Sequence, residues 1–148
     1  MKDDVVLLIV EDDPGHAALI ERNLRRAGVR NEIIRFADGQ EVLDFLLRRG
    51  DGPKRKLNVP YILLLDIRMP HVDGVEVLRQ IKQDEELKKL LVIMLTTTDD
   101  PHEVERCHRL GCGVYIAKPV ESDRFIDAVR QLGQLLQVVQ VPQLDGIA

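Results

Sequence analysis

The sequence predicts an α/β fold with a parallel sheet covered by helices on both faces. Residues 5–10, 61–65 and 91–95 are apolar at every position, which is typical of strands buried on both faces. Segments with apolar residues at helical spacing separate these runs, and such alternation favours a parallel sheet with crossover helices. Each of the three runs ends in polar residues, at the edge where α/β sheets bind their ligands.

Five strands and five helices are predicted to follow one another along the chain. The strands are residues 5–10, 32–36, 61–65, 91–95 and 114–117. A helix should follow each strand, and turn residues mark where these helices begin and end. The fourth helix, for example, begins at an acidic N-cap, Asp99-Asp100, with Pro101 in its first turn, and Gly111 and Gly113 close it. The fifth begins at Ser122-Asp123.

Length and composition predict one globular domain. The 148 residues are 45% hydrophobic and 31% charged, and the net charge of −4 does not suggest nucleic-acid binding. No apolar run reaches membrane-spanning length, and the N-terminus lacks the apolar segment of a signal peptide. We therefore expect a cytoplasmic protein that binds neither nucleic acid nor membrane. Cys107 and Cys112 are interpreted as reduced structural thiols.

The loop at 50–60 and the C-terminal segment each have an unusual composition. Lys54-Arg55-Lys56, in the polar loop 50–60, is interpreted as a solvated basic cluster, and residues 141–148 are expected to fray. The C-terminal segment holds more apolar residues than one buried stripe needs: Leu132, Leu135, Leu136, Val138, Val139 and Val141. A homodimer seam is favoured over the alternative, a slightly longer core helix.

Four strands end in polar side chains that make a chemical set. The first is followed by Glu11 and Asp12, the third by Asp66, the fourth by Thr96 and the fifth by Lys118. Each alone is an ordinary loop residue, but parallel strands bring their carboxyl ends to one edge. Three crowded carboxylates need a cation, and oxygen ligands favour Mg²⁺. The ammonium and hydroxyl suit phosphoryl oxygens, and Asp66 is the candidate nucleophile.

These residues resemble the receiver domain of two-component response regulators. The step of thirty residues from Asp66 to Thr96, and the further twenty-two to Lys118, are similar to the spacing in that family. The resemblance covers about residues 5–137 and rests on motifs in register: Glu11-Asp12, Asp66 with Met69-Pro70 and Asp73-Gly74, Thr96, and Lys118-Pro119. On this basis the chain is expected to be a single receiver domain over 1–148, with a short C-terminal extension at 138–148.

The resemblance implies a doubly wound, five-stranded flavodoxin-like fold with strand order 2-1-3-4-5. Asp66 would be the phosphoacceptor, taking phosphate from a phosphohistidine of a sensor histidine kinase. Thr96 and Lys118 would contact the phosphoryl oxygens, and Tyr115 would turn inward as Thr96 moves. The implied cofactor is Mg²⁺, held by Asp12, Asp66, the backbone carbonyl of Arg68 and, through water, Glu11.

A narrower resemblance is to the single-domain response regulators paired with bacterial and cyanobacterial phytochromes. It rests on the segment 95–100, Leu-Thr-Thr-Thr-Asp-Asp, and on Glu105-Arg106-Cys107 with Gly111-Cys112. That resemblance implies a short C-terminal extension and homodimers formed through the last helices. Output would then be a change in protein–protein contacts.

Two other classes of protein remain open. A pseudo-receiver would bind partners without being phosphorylated, although all five site residues are present here. A phosphatase of the haloacid-dehalogenase kind also uses an Asp nucleophile at a strand end, but it would want a second Asp two residues on, where this chain has Arg68. We therefore expect a phosphoacceptor signalling protein rather than an enzyme with turnover.

Overall fold

Five parallel strands form one sheet in the order β2-β1-β3-β4-β5. The computed structural model describes residues 1–118 and 122–146. The strands are β1 (Val6–Val10), β2 (Ile33–Phe36), β3 (Tyr61–Leu65), β4 (Leu91–Thr96) and β5 (Val114–Ala117). The predicted fold and strand order are confirmed, and the strand boundaries lie within one residue of those expected.

Helices cover both faces of this sheet. They are α1 (Pro14–Arg26), α2 (Gly39–Leu46), α3 (Gly74–Gln83), α4 (Pro101–Leu110) and α5 (Ser122–Leu136), and a short 3-10 turn spans Leu87–Lys89. One core lies between the sheet and α1 and α5, and the other between the sheet and α2, α3 and α4. No helix in 1–118 or 122–146 is long and apolar enough to cross a membrane.

Alternate residues of each central strand enter different cores, which explains why these strands are apolar throughout. In β1, Leu8 packs in the core beneath α2, α3 and α4, whereas its neighbours Leu7 and Ile9 pack beneath α1 and α5. In β3, Leu63 and Leu64 divide in the same way. Since both faces are buried, neither can carry the polar residues of a one-sided sheet.

Aspartate side chains begin four of the helices, as the turn signals indicated. Asp13, Asp38, Asp73 and Asp100 each accept hydrogen bonds from backbone amides of the first turn. Helix α4 ends at Gly111, whose φ of 109° lies in the left-handed region that glycine adopts without strain. The sequence signals for α4 are thus confirmed at both ends.

The basic loop and the C-terminal segment contradict the prediction. Arg55 is buried, with 7% of its surface exposed, and its guanidinium forms a bidentate ion pair with Asp145 at 2.9 and 3.1 Å. Leu144 is fully buried in the core beneath α2, α3 and α4. The prediction that Arg55 is solvated is therefore wrong. The prediction that the C-terminal segment frays is wrong for residues 141–146, because Leu144 and the ion pair anchor them. Residues 147 and 148 lie outside the described part.

The apolar excess at the C-terminus divides between core and surface. Leu132 and Leu136 are buried, and Val139 and Val141 pack against the same core. Two side chains remain exposed, Leu135 at 46% and Val138 at 74%. Most of the excess is thus used within the chain, and only these two side chains remain for a partner.

Candidate phosphoacceptor site

The residues predicted from the strand ends meet at the carboxyl edge of the sheet. Glu11 and Asp12 follow β1, Asp66 follows β3, Thr96 ends β4 and Lys118 follows β5. One carboxylate oxygen from each of the three acids lies within 4.8 Å of the others. Lys118 Nζ is 2.7 Å from Glu11 Oε1 and 3.3 Å from Asp66 Oδ2. The structure thus joins residues that are up to 107 positions apart along the chain.

The charges at this site are only partly compensated. Glu11, Asp66 and Lys118 are buried, whereas Asp12 is exposed. One ammonium therefore faces two buried carboxylates, with a third beside them. Burial, together with a hydrogen bond to Asp66, raises the pKa of Glu11 to about 7, although Lys118 acts in the opposite direction. The site therefore favours an additional positive charge.

Two buried oxygens at the site have no hydrogen-bond partner among the described residues. They are Glu11 Oε2 and Thr96 Oγ1, both in residues that are almost completely buried. An unsatisfied buried polar atom costs roughly 1–3 kcal/mol, so its presence in a folded protein needs an explanation. A divalent cation near the acids and an oxyanion near Thr96 would satisfy these atoms, and the hard oxygen donors fit Mg²⁺ or Mn²⁺.

Backbone contacts hold Asp66 in position. Its amide donates to the carbonyl of Val10 at 3.2 Å, and its carboxylate accepts from the amide of Arg68 at 3.4 Å. A Cβ atom at Gly74 would lie only 2.0 Å from the Asp66 carbonyl oxygen. Glycine at this position therefore lets the start of α3 pack directly against Asp66, which gives the Asp73-Gly74 motif a structural reason.

Tyr115 is linked to the segment that follows Thr96. Its hydroxyl donates to the carbonyl of Thr98 at 2.7 Å, and burial raises the pKa of Tyr115 to about 12. The ring is half-buried in β5 beside α4. Movement of the Thr96–Thr98 backbone would thus act on Tyr115 through this bond. Pro119, the other half of the Lys118 motif, lies outside the described residues.

Three more side chains contact the site. From the sequence, His16 is expected to flank the site as an exposed histidine that could touch a ligand, and Arg35 and Phe125 are assigned no role there. His16 Nδ1 lies 3.3 Å from Glu11 Oε1, and its ring is 5.9 Å from that of Phe125. Lys118 Nζ lies 6.0 Å from the centre of the same phenylalanine ring. Arg35 donates to the carbonyls of Glu11 and Asp12. No motif marks these residues, because they reach the site from neighbouring elements.

Residues 7–130 match the family model described as the response regulator receiver domain. The chain belongs to this family. Its members are signalling proteins. Among curated relatives, the probable methanogenesis regulatory protein FilR2 of Methanothrix harundinacea is 37% identical over 131 residues, covering 88% of this chain and 83% of the relative.

Solved structures give the same assignment. A receiver domain from Rhodospirillum rubrum superimposes with a TM-score of 0.89 at 42% identity, covering 95% of this chain and 99% of its own. The Mn²⁺-bound form of the response regulator Rcp1 of Synechocystis superimposes with a TM-score of 0.82 at 29% identity, covering 93% of this chain and 98% of Rcp1. The phosphorylated cyanobacterial phytochrome response regulator RcpA superimposes with a TM-score of 0.81 at 26% identity, covering 93% of this chain and 97% of RcpA. The homologues thus include phytochrome response regulators, and one binds a divalent metal.

Proposed function

We propose that this receiver is a phosphoacceptor switch, in which Asp66 accepts a phosphoryl group from a sensor histidine kinase. The observation that carries the proposal is a pair of buried oxygens, Glu11 Oε2 and Thr96 Oγ1, that have no hydrogen-bond partner within 1–118 and 122–146. They lie on either side of the Asp66 carboxylate, which contacts Lys118. A cation near the carboxylates and an oxyanion near Thr96 would satisfy these two atoms. A phosphoryl group on Asp66, with a divalent metal, would supply both.

The reaction exchanges one bond to phosphorus for another. An Asp66 carboxylate oxygen attacks the phosphorus of a phosphohistidine, the N–P bond breaks, and the imidazole nitrogen keeps the electron pair. Lys118, now 3.3 Å from Asp66, then pairs with a phosphoryl oxygen. Thr96 Oγ1 donates to another. Both groups already lie buried at the edge of the sheet, so they need only local movement to reach the phosphoryl oxygens.

The residues proposed to hold Mg²⁺ are Asp12, Asp66, the carbonyl of Arg68 and, through water, Glu11. The clustered carboxylates and the acidic excess support this set, and Arg68 is adjacent because its amide already bonds Asp66. A bound divalent cation neutralises charge on the phosphoryl oxygens. The Mn²⁺-bound state of Rcp1 supports a divalent ion at the acidic pocket of such domains.

Output is proposed to pass through β5 and α4 to a protein partner. Once Thr96 turns toward the phosphoryl group, the bond between Tyr115 and Thr98 breaks or carries the ring inward. This local change would shift a two-state equilibrium of the surface formed by α4 and β5. The likeness to RcpA supports a phytochrome as the cognate kinase.

Phosphorylation by acetyl phosphate with Mg²⁺ tests the acceptor. Intact mass spectrometry should show an adduct of about 80 Da in the wild type and none in Asp66→Asn. Asp99→Asn, which removes an exposed carboxylate from the loop after β4, should be labelled normally. If the wild type forms no adduct, the chain is a pseudo-receiver, which binds partners without being phosphorylated. Steady release of phosphate from p-nitrophenyl phosphate would instead favour the phosphatase class.

The exposed pair Leu135 and Val138 supports a homodimer through the C-terminal helices. Light scattering with beryllofluoride and Mg²⁺ should give a mass near two chains. The double variant Leu135→Glu, Val138→Glu should give one chain, because charges would enter the apolar contact. Gln134→Glu, at an exposed position of the same helix, should remain dimeric. Unchanged pairing in the double variant would place the dimer seam elsewhere.

A further inference from the structure

Arg35 is the side chain of the edge strand β2 that reaches the acidic loop. Its Nε donates to the carbonyl of Glu11 at 3.2 Å, and its Nη2 donates to the same carbonyl at 2.9 Å. Nη2 also donates to the carbonyl of Asp12 at 3.2 Å. One guanidinium thus fixes the backbone of both acids that follow β1.

Strand β2 also binds the backbone amide of Glu11. The amide of Glu11 donates to the carbonyl of Phe36 at 3.1 Å. Arg35 and Phe36 pair in register with Ile9 and Val10, the last two residues of β1. The amide and the carbonyl of Glu11 are therefore both tied to β2, which leaves the direction of its side chain largely determined.

The acidic cluster needs such restraint. Three carboxylates whose oxygens lie within 4.8 Å repel one another, and an unrestrained loop would let Asp12, which is exposed, move away. Lys118 restrains the Glu11 carboxylate from inside the site at 2.7 Å. Arg35 acts from β2, and within the described part of the chain its guanidinium bonds to backbone carbonyls alone, so it fixes the loop without occupying a carboxylate oxygen.

The geometry depends on the planar fork of arginine. Arg35 is exposed, so solvent and salt screen its charge, and its effect on the acids comes mainly through its hydrogen bonds. Lysine carries the same charge on a single compact nitrogen and cannot reproduce three bonds to two carbonyls from one rigid plane. A lysine variant therefore separates the effect of the fork from that of the charge.

We propose that Arg35 is a positioning residue for the divalent metal: its guanidinium holds the backbone of Glu11 and Asp12 so that their carboxylates converge before the ion binds. The inference rests on the metal site of the proposed function. Removing a partner that orients metal ligands weakens metal affinity about 10–100-fold. Since Arg35 is exposed, we expect the lower end of that range.

Direct Mn²⁺ binding tests this role without any phosphorylation. The free Mn²⁺ signal in electron paramagnetic resonance gives the Kd for wild type, Arg35→Gln, Arg35→Lys and the control Arg30→Gln. Arg30 is exposed in the loop before β2, so the control removes the same charge from the opposite end of that strand. We expect the Kd to rise about tenfold in Arg35→Gln and severalfold in Arg35→Lys, and to stay unchanged in Arg30→Gln.

Thermal unfolding of the same metal-free proteins separates positioning from folding. A lower Tm in Arg35→Gln with a Kd within twofold of the wild type would overturn the proposal, since Arg35 would then only stabilise the fold. Equal weakening in Arg30→Gln, or wild-type affinity in Arg35→Lys, would also overturn it, because charge alone would be responsible. If Arg35→Gln does not fold, Arg35→Lys decides.

The two proposals fail differently in this experiment. If the wild type binds no Mn²⁺ at millimolar concentration, both the proposed metal site and the proposed role of Arg35 are contradicted. If the wild type and both Arg35 variants bind Mn²⁺ equally tightly, only the role of Arg35 is contradicted.

Discussion

Two ion pairs, each with a buried cation, lie near opposite ends of the sheet and differ in how completely their charges are compensated. Arg55 pairs with Asp145 through two hydrogen bonds, and its Nε also donates to the carbonyl of Leu46. Asp145 in turn accepts from the amide of Asn58. At the carboxyl edge, Lys118 instead faces both Glu11 and Asp66, and Glu11 Oε2 has no partner among the described residues.

The difference separates a structural contact from a reactive one. One cation and one anion with full hydrogen bonding leave nothing for a ligand to add, so Arg55 and Asp145 anchor the C-terminal segment and do no chemistry. An excess of buried carboxylate over ammonium is costly in the absence of a ligand, and binding a cation relieves that cost. Substitutions at the two ends should therefore change stability in opposite directions.

Asp145→Asn should produce the largest change. It removes the charge that balances buried Arg55, and we expect the free energy of unfolding to fall by about 2–3 kcal/mol and Tm by roughly 5–10 °C. The pKa of Asp145 is lowered, mainly by Arg55, so this stabilisation is present at neutral pH and is lost as the pH falls through the folded pKa. Urea unfolding at pH 7 and at acid pH measures both effects.

Asp44→Asn is the matched control for that substitution. Its ion pair with Arg49 lies at the surface near the same loop, with both side chains at least one-third exposed. We expect a loss below about 1 kcal/mol. Equal losses at positions 44 and 145 would mean that burial of the Arg55 pair has no energetic consequence.

Metal affinity should depend on pH at the other end of the sheet. The pKa of Glu11 is about 7 in the metal-free protein, and its carboxylate, which is proposed to hold the ion through water, must lose its proton to carry the negative charge that favours the ion. Affinity therefore rises with pH, and the Kd for Mg²⁺ should be about tenfold higher at pH 6 than at pH 8. Calorimetric titration at several pH values measures this change.

Glu11→Gln tests the source of that pH dependence. The amide cannot titrate, so binding should be weaker than in the wild type but nearly independent of pH between 6 and 8. A Kd of the wild type that does not vary over this range would contradict the assignment of the titrating group to Glu11.

Asp66→Asn should produce a smaller change in stability than Asp145→Asn, with the opposite sign. Removing one of three crowded carboxylates relieves repulsion, while Lys118 keeps its 2.7 Å contact with Glu11. We expect the metal-free protein to gain about 1 kcal/mol, or roughly 3 °C in Tm. Calorimetric unfolding in chelator at pH 8 measures this gain, and a loss of stability would show that the site is already balanced.

Local sequence determined the fold and most of the candidate site. Apolar runs of five or six residues bounded by turn residues are typical of strands covered on both faces, and the polar residues that follow them must lie where the chain leaves the core. For that reason the sequence predicts that Asp66 and Lys118 lie at the same edge of the sheet. The helix starts at Asp73 and Asp100 were equally local, since an N-cap satisfies amides only a few residues away.

Tertiary structure alone decided the roles of Arg55, Asp145 and Arg35. Arg55 and Asp145 are 90 residues apart, and both stand in segments that look like polar loop by composition. Arg35 reaches the acidic loop only because β2 pairs with β1 in one particular register. Periodicity and capping describe contacts within a few residues of chain, whereas these contacts depend on which segments meet across the sheet, and that is settled only when the cores pack.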